Sequence, residues 1–269
     1  MHSVEESIQV DSTGRRLVLT RAGTGTPAVV LETGLGADAG EWEAVFQQVK
    51  RLTSVYCYDR ANRGRSDPAP RPRSAQDLVD DLHALLVNAA IPRPVVFVGH
   101  SLGGLVVRLY AHQHPHDIAG LVLVDPMHED QFERMGPLLR PTLPDEPEAL
   151  TWLRTFWTVD WRDPTKNAEG VDLLASQSQT QSIDSLGNIP MLVLTSGVFM
   201  RELPPGPAAQ RLEAQLQALR QEMHREMMRQ SSKASQILVE TSGHFIQREQ
   251  PEVIVAAVRQ MLEIVQNRL

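Results

Sequence analysis

The run Val95-Val96-Phe97-Val98-Gly99-His100-Ser101-Leu102-Gly103-Gly104-Leu105 decides how this chain is read. Residues 95–98 form a short apolar run rich in β-branched and aromatic side chains, bounded by Pro94 and by glycines, which is the pattern of a buried strand. Leu105-Val106-Val107-Arg108-Leu109-Tyr110 follows as a buried helix. Between them stands G-x-S-x-G, made by Gly99, Ser101 and Gly103. A serine at a sharp strand-to-helix turn has strained backbone angles, and only small neighbours leave room for that turn. The turn lifts the hydroxyl above the sheet edge and aims the first helical N–H groups at the same point. The five-residue pattern alone is common. Set between a strand and a helix, it marks Ser101 as a candidate nucleophile.

Elsewhere the composition narrows the function classes. The chain has 269 residues, of which 42% are hydrophobic and 22% charged, enough to bury one substantial α/β core. A formal net charge of -7 with no lysine/arginine cluster argues against nucleic acid or an anionic membrane as partner. No apolar run approaches the roughly 18–20 residues of a membrane span. Met1 to Ser7 is acidic and lacks the apolar centre of a signal peptide, and the lone Cys57 allows no intrachain disulfide, so a cytoplasmic location is expected. Cys57, inside Val55-Tyr56-Cys57-Tyr58, reads as a buried structural thiol.

Ile8–Val10 and Arg16–Thr20 read as a hairpin about Ser12-Thr13-Gly14, and Ala28–Leu31, Thr53–Tyr58, Val95–Val98 and Leu121–Val124 as further strands. Helices are expected over Glu41–Lys50 and after Ser74, where Asp77 three residues on completes a capping pattern. Continuous Val/Leu runs mark strands covered on both faces, hence a mainly parallel sheet between helical layers. From Met127 to Gly187 the rhythm breaks. Pro137, Pro141, Pro144 and Pro147 punctuate a loop, a helix is expected over Glu148–Thr158, and Trp152, Phe156, Trp157 and Trp161 concentrate there although only 5% of the chain is aromatic. This reads as a cap inserted at 127–187 into a core of 1–126 and 188–269. Met191–Leu194 and Ile237–Glu240 supply the last strands. A long helix is expected from about Ala208 to Arg229, with the stripe Leu212, Leu216, Leu219, Met223 and Met227, and Pro251 opens the final helix.

Four segments together resemble the α/β-hydrolase superfamily, in its serine-nucleophile, esterase-like branch. They are the Gly99–Gly103 elbow, the glycine corner Gly34-Leu35-Gly36, the turn Asp59-Arg60-Ala61-Asn62-Arg63-Gly64-Arg65-Ser66, and Ser242-Gly243-His244-Phe245 directly after the last strand. The resemblance covers nearly the whole chain. It implies an eight-stranded, mostly parallel sheet with helices on both faces and a small helical cap. Serine at the elbow argues against the branches with aspartate there, such as haloalkane dehalogenases and epoxide hydrolases.

An alcohol needs a base within reach to act as nucleophile at neutral pH. His244, in a loop resembling the family's histidine loop, is the expected base; His100 points away from Ser101 at a sharp turn, and His2, His83 and His224 read as surface or polar-face residues. His112, His114 and His116 alternate without carboxylate or cysteine companions, and no metal site is expected. Many relatives place the triad acid after the seventh strand, but Thr195 to Glu202 contains no aspartate. Other branches place it after the sixth, where Asp125 stands. Asp125 is the favoured acid and Glu202 the alternative, with Glu129 and Asp130 as further candidates. By resemblance, the backbone N–H groups of Leu35 and Leu102 form the oxyanion hole, while Asp59, Arg60 and Ser66 are scaffold. The cap aromatics either pack their helix or, with Met127 and Phe132, line an apolar pocket that includes Trp152, Phe156 and Trp157.

The expectation is a serine hydrolase acting on a small-molecule, ester-like substrate: a carboxylesterase for small to medium apolar esters, with no cofactor. Lactonase, carbon–carbon bond hydrolase, perhydrolase and hydroxynitrile lyase share the constellation. A ligand receptor or partner-binding module with a retained triad is the reading from another class.

Overall fold

The computed structural model describes residues 3–11, 13–143, 146–201 and 203–267. Eight strands form one sheet in the order β1-β2-β4-β3-β5-β6-β7-β8. They are β1 (Val4–Gln9), β2 (Arg16–Ala22), β3 (Val29–Glu32), β4 (Val55–Tyr58), β5 (Val95–His100), β6 (Ile118–Val124), β7 (Met191–Ser196) and β8 (Ala234–Val239). β2 runs antiparallel to both β1 and β4, and every pairing from β4 to β8 is parallel. The expected eight-stranded, mostly parallel sheet is therefore the one observed. The hairpin turn expected at Ser12 lies in part outside the described residues.

The central strands are buried along their whole length and apolar up to their carboxyl ends, because both faces are covered. Val95 and Phe97 of β5 and Leu121 and Leu123 of β6 join one apolar cluster, while Val96, Val98, Val122 and Val124 join a second on the opposite face. The first cluster packs under α2 (Ala75–Asn88) and α3 (Leu102–Gln113); the second packs under α1 (Glu43–Val49) and the last helix of the chain. Full burial of one such side chain contributes about 1.5–3 kcal/mol. At the start of α2 the Asp77 carboxylate accepts from the Ser74 N–H at 2.7 Å and from its Oγ at 2.9 Å, the expected N-terminal pattern. The helix expected over Glu41–Lys50 is divided, a 3-10 turn over Ala39–Trp42 leading into α1.

Between β6 and β7 the chain forms α4 (Gln131–Leu139), α5 (Glu148–Thr158), two 3-10 turns and α6 (Leu173–Gln181). Pro137 is a loop marker by sequence pattern, yet it lies inside α4. Phe132, Met135 and Leu139 explain why: all three are buried at helical spacing, and that stripe outweighs one lost backbone hydrogen bond. α5 has the expected bounds. α4 and α5 share a separate apolar cluster with α7 (Pro207–Met228), in which Met135, Leu139 and Leu150 meet Leu212, Leu216 and Met223. α6 instead packs beside α2 and α3. The chain closes with α8 (Ile246–Glu249) and α9 (Pro251–Gln266), the latter opened by its proline as expected. Among the described residues no helix is long and apolar enough to cross a membrane.

The crossing of β5 into α3 is packed without slack. A Cβ on Gly103 would stand 2.5 Å from the Glu32 carbonyl oxygen and 2.6 Å from that of Thr33; one on Gly99 would stand 2.7 Å from the Gly103 oxygen. Gly103→Ala is therefore expected to destabilise the fold by about 1–3 kcal/mol, because only backbone could give way. Thermal unfolding checks this, and an unchanged midpoint would contradict the close packing.

Candidate active site

Four parallel strands end at one place. Glu32 closes β3, His100 closes β5, Val124 closes β6 and Ser196 closes β7, and the loop after β8 carries His244. Clefts in open α/β sheets form at this carboxyl edge. Ser101 has φ 51° and ψ -117°, and its N–H donates to the Val124 carbonyl at 3.1 Å, so the sheet ladder itself holds the turn. Asp125 is also bent to positive φ, at 41°, with its N–H on the Leu194 carbonyl at 2.8 Å. Two non-glycine residues at positive φ, on neighbouring strand ends, are the kind of strain that clusters at functional sites.

Asp125 meets His244. The imidazole Nδ1 lies 2.7 Å from Asp125 Oδ2, and the other carboxylate oxygen accepts the Ser196 N–H at 3.0 Å. With Nδ1–H donating to the carboxylate, Nε2 is left as a free acceptor. Arg220, on α7, also donates to Oδ2 at 3.0 Å. Burial works against the charge on Asp125, but Arg220 and then His244 hold its carboxyl well below the usual carboxylate range. Ser101, Asp125 and His244 line one cavity of about 640 Å³. Of the other candidate acids, Glu129 is bound to Arg108 at 2.7 Å and Asp130 accepts from Gln181 at 2.8 Å, while Glu202 lies outside the described residues.

His100 backs this arrangement. Its Nε2–H donates to the His244 carbonyl at 3.0 Å, its Nδ1 accepts from Gln247 at 3.1 Å, and its ring lies against Trp42 and His244. His224 corrects its surface reading. It is buried, with Nε2–H on the Pro126 carbonyl at 3.0 Å and Nδ1 taking the Thr195 hydroxyl at 2.8 Å. Both networks need the neutral ring. Burial pushes His100 down to about 3 and His224 down to about 4.

The glycine corner is held by charge. Arg60 donates to the Thr33 and Gly34 carbonyls at 2.7 Å each, to Glu32 at 2.5 Å, and through two nitrogens to Glu169 at 2.7 and 2.8 Å. Glu169, from the segment between β6 and β7, also accepts the Gly36 N–H at 2.5 Å. Asp59 accepts the Ala39 and Arg65 N–H groups at 2.8 and 3.0 Å, and Ser66 Oγ donates to the Asp59 carbonyl at 2.6 Å. Leu35 sits within this clamp and lines the cavity; Leu102 is the first residue of α3, where its N–H has no carbonyl one turn earlier to meet.

Met127, Phe132, Trp152, Phe156 and Trp157 all line the cavity, joined by Met135, Leu150, Leu153, Phe199, Met200 and Met223. The aromatics both pack on one another and face the cavity. Trp157 touches Phe132 and Phe199, and Trp152 stacks on Phe156 at 5.9 Å while staying 65% exposed. Trp161 is buried and stacks on Phe132 at 4.8 Å. Sequence reasoning missed Arg220, His224 and Glu169. Arg220 had a signal: it follows Leu216 by one turn and so falls on the inward stripe of α7, where the structure buries it and leaves Leu219 half-buried. Cys57 is buried, and burial pushes its thiol up to about 12, far from a nucleophile's range.

Away from this site, His83, His114 and Asp117 are the group among the described residues whose ligand atoms fall within 4.8 Å of one another. Asp117 is thus a carboxylate companion that the sequence reading of His114 lacked. The two imidazoles are stacked face to face at 4.3 Å, so one ion cannot lie in both ring planes, and Asp117 is held by Arg93 and the Tyr110 hydroxyl at 3.0 Å each.

The profile of the Alpha/beta hydrolase family matches residues 29–257. The chain belongs to that family. Among curated relatives, this hydrolase is 26% identical over 238 residues to the uncharacterized protein YqjL of Bacillus subtilis, covering 88% of this chain and 84% of that one. Its fold is similar to that of a thermophilic esterase from Thermogutta terrifontis, with a TM-score of 0.66 at 22% identity, covering 97% of this chain and 99% of the other. A structure from a study of carboxylesterases of the thaumarchaeon Nitrososphaera gargenis gives a TM-score of 0.69 at 16% identity, covering 98% and 100%.

The buried histidines make stability depend on pH. Unfolded, each titrates near about 6.5; folded, they titrate at about 3 and about 4. Between those values the unfolded chain binds more protons, so stability falls as pH drops from 6.5 towards 4, by up to about 1.4 kcal/mol per pH unit per group. His224→Gln is expected to flatten this slope. Parallel wild-type and variant curves of unfolding midpoint against pH would contradict the neutral buried ring.

Proposed function

We propose that the protein is a carboxylesterase that cleaves small to medium apolar esters through an acyl-enzyme. The observation that carries this reading is the 2.7 Å contact between His244 Nδ1 and Asp125, on the wall of the cavity that Ser101 also lines. Ser101 Oγ attacks the ester carbonyl carbon as His244 Nε2 takes its proton. Asp125 holds the imidazole with Nε2 facing the serine and stabilises the imidazolium that forms. The N–H groups of Leu35 and Leu102 receive the oxyanion of the tetrahedral intermediate. His244 then protonates the departing alkoxide, and water, activated by the same nitrogen, releases the acid. These steps require no cofactor.

The cavity lining supports the substrate class. Phe132, Leu150, Leu153, Phe156, Trp157 and Met223 give an acyl or alcohol group an apolar wall. In this reading residues 127–187 act as the cap, since α4 and α5 carry most of that wall. A lactone meets the same nucleophile and oxyanion donors, so a panel of nitrophenyl esters graded by acyl length, with lactones and thioesters beside them, ranks the classes. Nitrophenyl esters between butyrate and octanoate are expected to turn over best; lactones preferred over all esters would overturn the carboxylesterase reading.

Ser101→Ala is expected to abolish turnover and labelling by a phosphonate probe. Asp125→Asn is expected to lower kcat by about 10⁴, the loss seen when a triad imidazole loses its orienting carboxylate, while Glu202→Gln leaves the rate unchanged. A near-native Asp125→Asn with a crippled Glu202→Gln would move the acid to Glu202.

A further inference from the structure

Arg220 is a buried cation on the face of α7 that turns towards the cavity. Its side chain is 8% exposed, and that of Asp125 is 2% exposed. Taking an arginine out of water is costly unless it is paired, so its position calls for a reason. Its Nη1 lies 3.0 Å from Asp125 Oδ2, the same oxygen that His244 Nδ1 approaches to 2.7 Å. The same nitrogen bonds Ser196 Oγ, at the end of β7. The guanidinium carbon lies 4.1 Å from the Phe199 ring centroid, which covers one face of the group. Gln217, one turn earlier on α7, donates to the Ser196 carbonyl, so the helix grips the end of β7 twice.

Resting on the esterase reading, we propose that Arg220 is a positioning residue for the reaction: it holds the Asp125 carboxylate towards His244 and shares that carboxylate's charge. The imidazolium that forms as Ser101 attacks then faces an acid already paired with a cation. Arg220 thereby opposes premature protonation of His244 and keeps the base available at lower pH.

The other charged and titratable groups around the pair are accounted for. His224, on α7, and His100, at the end of β5, are neutral rings committed to backbone carbonyls. Glu213, the acid on α7 nearest Arg220 in its electrostatic balance, is engaged by the Phe199 and Met200 N–H groups at 2.5 and 3.0 Å. Glu249, on α8, pairs with Arg201 at 2.5 Å and accepts the Gly243 N–H at 3.0 Å. Arg248, on α8, pairs with Glu41. His128, in the loop after β6, lies 3.6 Å from Glu226. Among the described residues, Arg220 is thus the arginine or lysine that bonds Asp125 directly.

The test is the pH profile of kcat/KM for Arg220→Gln and Arg220→Lys, with Ser101→Ala as the reference. Removing the cation in Arg220→Gln is expected to move the acid limb up by about one pH unit, the scale of a single charge a few ångströms away, and to lower the plateau about tenfold or more as Asp125 loses a hold. Arg220→Lys keeps the charge but not the planar fork, so its plateau falls while its acid limb stays in place. A lower plateau with an unmoved acid limb in Arg220→Gln would mean that Arg220 only packs the helix, and would overturn the proposal. If Arg220→Gln does not fold, Arg220→Lys decides alone: an acid limb displaced upwards with the charge retained overturns the proposal, and a reduced kcat at unchanged KM with the limb in place supports it. Turnover that survives Ser101→Ala overturns the esterase reading itself, which separates the two failures.

Discussion

The contact between Gly103 and the carbonyl edge at the end of β3 is the constraint on which the rest of the site depends. Because α3 begins against the backbone of Glu32 and Thr33, the chain must leave β5 in a single residue, and Ser101 takes the positive φ that this requires. The turn is fastened from the neighbouring strand by the Val124 carbonyl, and Asp125 follows that same carbonyl's residue. Ser101 and Asp125, the proposed nucleophile and acid, are therefore carried by two strand ends that brace each other. The strain, of order 1–3 kcal/mol per residue, is borne by a core in which both faces of β5 and β6 are fully covered.

Around this turn the protein places charge where most folds place hydrocarbon. Arg60 joins Glu32, Glu169 and two carbonyls of the glycine corner, and Arg220 joins Asp125. Buried pairs of this kind add little net stability compared with apolar packing, whereas losing one partner is costly. Their effect is to fix geometry. The Arg60 cluster determines where the Leu35 amide lies, and it draws one of its carboxylates from the segment between β6 and β7. In the proposed esterase, the segment that shapes the substrate cavity thus also holds the corner expected to receive the oxyanion.

What could be read from the sequence follows the range of the interactions. The parallel sheet and the family resemblance were legible because each strand carries its own pattern, and four short motifs fall at strand ends in a fixed order. Ser101, Asp125 and His244 each stand directly after or near a strand, and the structure brings these three together. The helix α4 was hidden by Pro137, a local signal overridden by the burial of Phe132, Met135 and Leu139. His224 and Glu169 were hidden because their partners are far along the chain: His224 meets Pro126 and Thr195, and Glu169 meets Gly36 and Arg60. Arg220 was partly visible as a charge on an apolar stripe. What it pairs with was not, since nothing local to α7 points to the end of β6.

The proposed esterase requires that the acyl group pass through Ser101. Acid-quenching the protein during turnover of an activated ester, followed by peptide mass mapping, measures this directly. An added acyl mass is expected on the peptide containing Ser101, formed in wild type and absent in Ser101→Ala. Steady hydrolysis with no acyl mass on that peptide, or with the mass on another residue, would contradict it.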